Sequence, residues 1–362
     1  DDPAAAIAGW GLVGCELAVP PPAGTWDGMF HTIRRERLSG LAVSAVAAGA
    51  LDLTTDQRDG LRAAHAVAMV HALRLERFLL DSIELFEGAG IEALVLKGPA
   101  MAHRHHADPR ERPFGDIDVL VPSDQLDAAF DLLAASGHQR RYPEPRPGFD
   151  RRFGKGAAFV SPEGLELDVH RTFAAGPFGI RVRLEDAHAA PASFTVGGRV
   201  VRTLADGPML VSVAMHAVLG THRSRLLNLR DVAQLLGGAD EATVAALATR
   251  WGADAVLAEA VRRASGAFGL DPALPLVGWA SAHQGDRRQL RAMSAYTTAD
   301  RSYGGQALAA LPAISRWTDR ASYLRALVLP HRSYLADRDR SQLARWRRMT
   351  TSAVRQARRA GR

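Results

Sequence analysis

Apolar residues recur every three or four positions between residues 57 and 86, at Leu61, Ala64, Ala68, Ala72, Leu75 and Leu79. That spacing predicts one long helix. Thr54, Thr55 and Asp56 precede it as candidate N-caps, whose side-chain oxygens accept from the free N–H groups of a first turn. The whole stretch 26–87 reads as helical. The texture changes at Gly88. Residues 91–96 are a short apolar run of strand formers, broken by Lys97-Gly98-Pro99, and 100–105 accommodate a helical turn or two. A second strand follows at 116–121. Ser123 and Asp124 are placed to cap a helix over 125–135 that stops at Gly137. Residues 157–161 and 165–172 read as strands joined by a Pro162-Glu163-Gly164 turn, and 193–203 as a hairpin around Gly197-Gly198. From Asp206, expected to cap 208–219, the pattern is helical, with further helices at 226–236, 241–251, 255–267, 287–295 and 320–327.

This order divides the chain into an N-terminal arm and helical region (1–87), an α/β core (88–204) and a C-terminal helical region with a basic tail (205–362). The first 20 or so residues, rich in Ala, Gly and Pro and ending in Pro20-Pro21-Pro22, read as a loosely held arm.

Chemistry concentrates on two of the strands. In Arg112-Pro113-Phe114-Gly115-Asp116-Ile117-Asp118-Val119-Leu120-Val121, strand alternation sends Asp116 and Asp118 to one face and Ile117, Val119 and Val121 into a core. In Leu165-Glu166-Leu167-Asp168-Val169-His170, the residues Glu166, Asp168 and His170 oppose the apolar Leu165, Leu167 and Val169. Carboxylates on neighbouring strands suit hard divalent cations, and phosphate chemistry is the first reading. In a two-metal arrangement Asp116 and Asp118 bridge both ions. Asp168 holds the ion beside the acceptor and helps take its proton, with Glu166 and His170 in support.

Composition narrows the class. The chain has 362 residues, 47% hydrophobic and 23% charged, enough for two or three domains with real cores. No apolar run reaches the roughly 18 residues of a transmembrane helix. No signal-peptide pattern is visible, and the single cysteine, Cys15, excludes an internal disulfide, so a cytoplasmic setting is expected. The net charge of +6 is concentrated in the arginines of 338–362. That tail reads first as a solvated helix end, and second as a contact for nucleic acid, an anionic membrane or an acidic partner.

The remaining polar clusters have plain readings. His103, His105 and His106 lack the cysteines and second half of a zinc site and are expected at an exposed helix end or substrate rim. His65 and His71 read as helix-surface residues and His216 as a satisfied core histidine. Arg140, Arg141, Arg146, Arg151, Arg152 and Lys155 read as a solvated loop, with phosphate contact as the sharper alternative.

Leu96-Lys97-Gly98, Asp108-Pro109, the 112–118 segment and the Leu165–His170 strand together resemble a bacterial family of uncharacterised nucleotidyltransferases in the DNA polymerase β-like superfamily. The helical segment 209–236, with His216 and Asp231, is similar to that family's as well, and the resemblance spans roughly 55 to 340. It implies an α+β fold: a polymerase β-like nucleotidyltransferase core, a small mixed sheet with flanking helices, plus N- and C-terminal helical regions. It implies two Mg²⁺ ions and a nucleoside triphosphate, with ATP expected. Asp116, Asp118 and Asp168 are then the catalytic and metal residues, and Lys97, Gly98, Arg112 and Gly115 the nucleotide contacts. Many superfamily members carry Gly-Ser or Gly-Gly before the two-Asp strand, where this chain has Lys97-Gly98-Pro99.

The expected reaction moves a nucleoside monophosphate, AMP first, to a hydroxyl-type acceptor and releases pyrophosphate. A small molecule or natural-product peptide is the first acceptor, RNA the second and protein the third. The rivals are an Asp-x-Asp glycosyltransferase, which normally places a full nucleotide-binding sheet before its motif, and a dehalogenase-type phosphatase, whose Gly-Thr-like turn is missing. A non-catalytic nucleotide-binding protein is the remaining alternative.

Overall fold

A computed structural model describes residues 3–12, 25–299 and 301–338. Cys15, the Pro20-Pro21-Pro22 stretch and the arginine-rich tail beyond Arg338 lie outside them. The strands in chain order are β1 (Leu94–Val95), β2 (Ile117–Leu120), β3 (Gln139–Arg140), β4 (Gly156–Val160), β5 (Glu166–His170), β6 (Ala192–Val196) and β7 (Arg199–Thr203). They form one mixed sheet ordered β3-β4-β5-β2-β1-β7-β6. The β2–β5 and β1–β7 pairs are parallel and the others antiparallel.

All four residues of β2 are buried, which is why it sits mid-sheet. Ile117 and Val119 enter the core as alternation predicts. In β5, Leu167 and Val169 are buried, while Glu166 and Asp168 on the other face are half-buried. Helices Asp206–Leu219, Leu226–Leu236 and Asp254–Phe268 pack with the sheet and the N-terminal helices into one continuous apolar core. A second, small cluster joins helix Phe149–Arg152 to helix Trp317–Val328 through Phe149, Phe153 and Tyr323. No helix among the described residues is long and apolar enough to cross a membrane.

The long helix runs Thr55–Gly88. Thr54 is its N-cap: its hydroxyl accepts from Gln57 N–H at 3.3 Å and the Gln57 side chain answers on Thr54 N–H at 3.0 Å. The rest of 26–87 is two shorter helices, Trp26–Glu36 and Ser39–Ala47. The break falls at Arg37, whose φ of 61° cannot continue a right-handed helix.

Three local expectations are corrected. The start of the supposed loose arm is a docked helix, Pro3–Gly9, with Ala4, Ile7 and Ala8 buried. Its last carbonyls are held by Arg230, which donates to Ala8 O at 3.0 Å and to Trp10 O at 2.5 Å. Helix Leu126–Ala135 follows Gln125, with no side-chain cap from Ser123 or Asp124; the Gln125 side chain instead accepts from Glu92 N–H. Asp206 lies inside the first turn of its helix rather than capping it, because its carboxylate turns to Arg104 at 2.9 Å. Strand β3 and helices Pro275–Ala282 and Tyr303–Ala310 carry too few periodic positions to stand out in the sequence.

Candidate active site

The site forms where β2 and β5 run side by side. Their parallel register pairs Asp118 with Asp168 and Leu120 with His170. One ligand atom each from Asp118, Asp168 and His170 lies within 4.8 Å of the others. Asp118 is almost fully buried. It accepts from Lys97 on one oxygen, and its other oxygen faces His170 Nε2 at 2.7 Å. Burial alone would raise its pKa, but Lys97 and His170 hold it well below the ordinary carboxylate value. Asp168 is different: no group among the described residues donates to it. Burial raises its pKa, His170 opposes the rise and the Asp118 charge adds to it.

Asp116 stands one residue before β2 and does not join this group. Its half-exposed carboxylate faces the Arg37 guanidinium at 3.9 Å. Gly115 lies under that guanidinium, where a Cβ would come within 2.7 Å of Arg37 Nη2, and its carbonyl meets His71 Nε2 at 3.4 Å. His71 is therefore turned toward the site loop, and His65 is half-buried against Ser39, rather than lying on a free helix surface.

Behind the site is a buried ion pair. Arg112 donates to both Asp231 oxygens, at 2.7 and 2.5 Å, and to Gly98 O at 3.2 Å. The expected nucleotide contact Arg112 is thus turned inward, a positioning residue that ties the Lys97-Gly98 turn to helix Leu226–Leu236. Gly98 has φ 63° and ψ −115°, a conformation that favours glycine. Glu166 pairs with Arg141 at the sheet surface.

The sequence named Lys155 among the phosphate-contact alternatives and His216 within the family-like helical segment, but joined neither to the carboxylates. Lys155 is half-buried rather than in a solvated loop, lining the same small cavity as Asp168 and His170. His216 is no satisfied core histidine: it lines a cavity of about 350 Å³ together with Lys155. Burial, then Lys97 and Lys155, push its pKa well down. The other basic residues of that stretch have local partners: Arg140 on Asp150, Arg146 on Leu329 O, Arg151 on Asp127 and Arg152 on Asp319.

A family model of uncharacterised nucleotidyltransferases matches residues 22–269, well over half of the chain. The chain belongs to this nucleotidyltransferase family. The family is the one its strand motifs resemble, and the match begins earlier and ends earlier than the stretch of roughly 55 to 340 read for that resemblance. An antigenic nucleotidyltransferase-like protein from Paracoccidioides brasiliensis is similar in structure, at 16% identity and a TM-score of 0.33, over 57% of this chain and 95% of that one. A likeness that loose carries no weight here. No curated protein matches the chain.

In this family member the donor set fits a divalent cation. His170 Nε2 lies 2.7 Å from an Asp118 oxygen, and with Asp168 the two present three ligand atoms within 4.8 Å of one another, a nitrogen and two carboxylate oxygens of the kind that hold a divalent ion. The unpartnered Asp168 beside Asp118 is a second sign, since like charges at close range favour a bound cation. The other histidines form no such centre. His103 pairs with Glu76 at 2.8 Å and stacks on Phe194, His105 lies 3.6 Å from Asp206, and His106 is buried 3.5 Å from Glu111. Three separate carboxylates thus replace the exposed helix end that was expected.

Proposed function

We propose that this protein is a metal-dependent transferase that moves a nucleoside monophosphate, AMP first, from a triphosphate to a hydroxyl-type acceptor. The observation that carries this reading is the in-register pairing of Asp118 with Asp168, with Lys97 and His170 both on Asp118. Asp118, Asp168 and His170 would hold a Mg²⁺ ion, and Asp116 with Asp118 a second. Bound there, the cations neutralise phosphate charge and lower the pKa of the attacking hydroxyl.

The chain's own residues supply the rest. Lys97 now balances Asp118. Once that charge is shared with a cation, the ammonium is free to meet a phosphate oxygen. Gly98 keeps the turn after β1 open, and Arg112 with Asp231 holds that turn still. Asp168, on the side away from Lys97, is placed to receive the acceptor's proton. Asp-x-Asp glycosyl transfer fits less well, since among the described residues only the two-residue β1 precedes β2.

The test is transfer of label from α-³²P-ATP with Mg²⁺ and candidate acceptors, small molecules and peptides first. Label in the acceptor, pyrophosphate released and loss of both in Asp168→Ala and Asp116→Ala support the reading. Transfer that persists in both variants would sink the site assignment.

A further inference from the structure

The cavity of about 350 Å³ beside the carboxylates has no part in the steps above. Buried Phe173 and Tyr296 and half-buried Lys155 and His216 line it inwardly, and exposed Arg301 and Tyr303 stand on its rim. Strand order sets which flank it serves. Lys155 leads into β4, the neighbour of β5, so the cavity approaches from the Asp168 side. Lys97 and Gly98 follow β1, on the opposite side of Asp118. By strand order the cavity is reached from the Asp168 flank, while the Lys97 charge extends to Lys155 and His216 in its lining.

Its charge is one-sided. Among the described residues Lys155 and Arg301 line it, and no carboxylate does. Neither cation forms an ion pair among the described residues; the Arg301 guanidinium donates to Gly220 O at 3.1 Å. The rest of the lining mixes three rings, Met215 and Leu219 with the polar Ser302 and Gln306. Such a space is of small-molecule size and suits an anion whose body is partly aromatic and partly polar. His216 is held neutral by burial, so it can accept a hydrogen bond from a hydroxyl without adding positive charge.

We propose that this cavity is the acceptor pocket, and that its acceptor is a small hydroxyl-bearing molecule with an anionic group on a partly aromatic, partly polar body. The assignment rests on the nucleotidyl-transfer reading. The acceptor oxygen forms a bond to the α-phosphorus, and the bond from that phosphorus to the α–β bridging oxygen breaks. The electron pair leaves with pyrophosphate, and the hydroxyl proton passes to Asp168 or to solvent. Arg301 anchors the anion at the rim, which aims the hydroxyl inward past Lys155.

Two probes separate charge from shape: 4-hydroxyphenylacetate and tyramine share a phenol hydroxyl and differ in the sign of the side-chain charge. Each is titrated calorimetrically into the full chain, alone and then with Mg²⁺ and the α,β-methylene analogue of ATP. The anion should bind about ten-fold or more tightly than the amine and should stay bound beside the analogue. Arg301→Glu should abolish the preference. Arg74→Glu, on the distant helix Thr55–Gly88, should keep it and so controls for net charge. Equal binding of tyramine, a preference that survives Arg301→Glu, an equal loss in Arg74→Glu, or displacement by the analogue overturns the assignment. Failure of the analogue itself to bind with Mg²⁺ is read separately; it sinks the nucleotidyl-transfer reading, and the acceptor role with it.

Discussion

Asp118 and Asp168 face each other across the parallel β2–β5 pair in opposite electrostatic circumstances. Lys97 and His170 engage Asp118, whereas Asp168 receives no hydrogen bond among the described residues. Neutralising each should therefore affect the metal-free fold differently. Asp118→Asn leaves Lys97 buried without its counter-charge and should cost about 3–5 kcal/mol. Asp168→Asn relieves like-charge repulsion and should leave the melting temperature unchanged or raise it. Metal-free thermal melts check this; equal losses in the two variants would contradict the asymmetry.

The Arg112–Asp231 pair couples the Lys97-Gly98 turn to the C-terminal helices. Removing one partner strands a buried charge, so Arg112→Ala should destabilise by about 3–5 kcal/mol in urea denaturation. Arg112→Lys should not restore the loss, because an ammonium cannot make the two parallel bonds to Asp231. A lysine variant with wild-type stability would show that the fork geometry is unimportant.

Gly156 pairs with His170, and its φ of 154° brings the chain so close that a Cβ would stand 2.0 Å from Val169 O. Gly156→Ala should lower stability by about 2–4 kcal/mol and shift the β4–β5 register that carries Asp168 and His170. A variant as stable as the wild type would show that this edge accommodates a side chain.

Acid should weaken the fold. His105, His106, His188 and His216 all have lowered pKa values, with burial the largest cause in each. When the folded-state pKa is depressed, the unfolded chain takes up the proton first as pH falls. Their contribution is intact above about 6.5 and is lost as pH drops from there through the folded values. Asp150, pushed up to about 6, acts in the opposite sense, favouring the fold when protonated. His65 and His170 are lowered by burial as well, and Asp168 and Glu166 are raised like Asp150, so with six histidines against three carboxyls the urea midpoint should fall between pH 7 and pH 5. A flat or rising midpoint would count against this electrostatic picture.

The strand faces were legible because alternation is local: Ile117 and Val119 against Asp118, and Leu167 and Val169 against Asp168, follow from the order of residues alone. An N-cap at Thr54, one of three candidates with Thr55 and Asp56, was legible for the same reason, and its reciprocal bond with Gln57 was not singled out. Pairing register is not local, so nothing in the two strands revealed that Asp118 and not Asp116 stands opposite Asp168. Alternation was extended one residue beyond β2, into the turn where Gly115 and Asp116 meet Arg37. Arg112 and Asp231 are brought together by the packing of a distant helix, and no spacing rule reaches that far. Lys155 and His216 had no motif of their own; a lone lysine ahead of a strand and a histidine among apolar helix positions gain meaning only when the cavity between them is seen.

The central claim is that these carboxylates bind a triphosphate through a divalent cation. Calorimetric titration of the full chain with the α,β-methylene analogue of ATP, with Mg²⁺ and with EDTA, tests it without knowledge of the acceptor. The account predicts saturable binding that requires Mg²⁺ and is weakened at least about 100-fold in Asp118→Asn and Asp168→Asn. Binding of equal strength in EDTA, or undiminished in both variants, would contradict it.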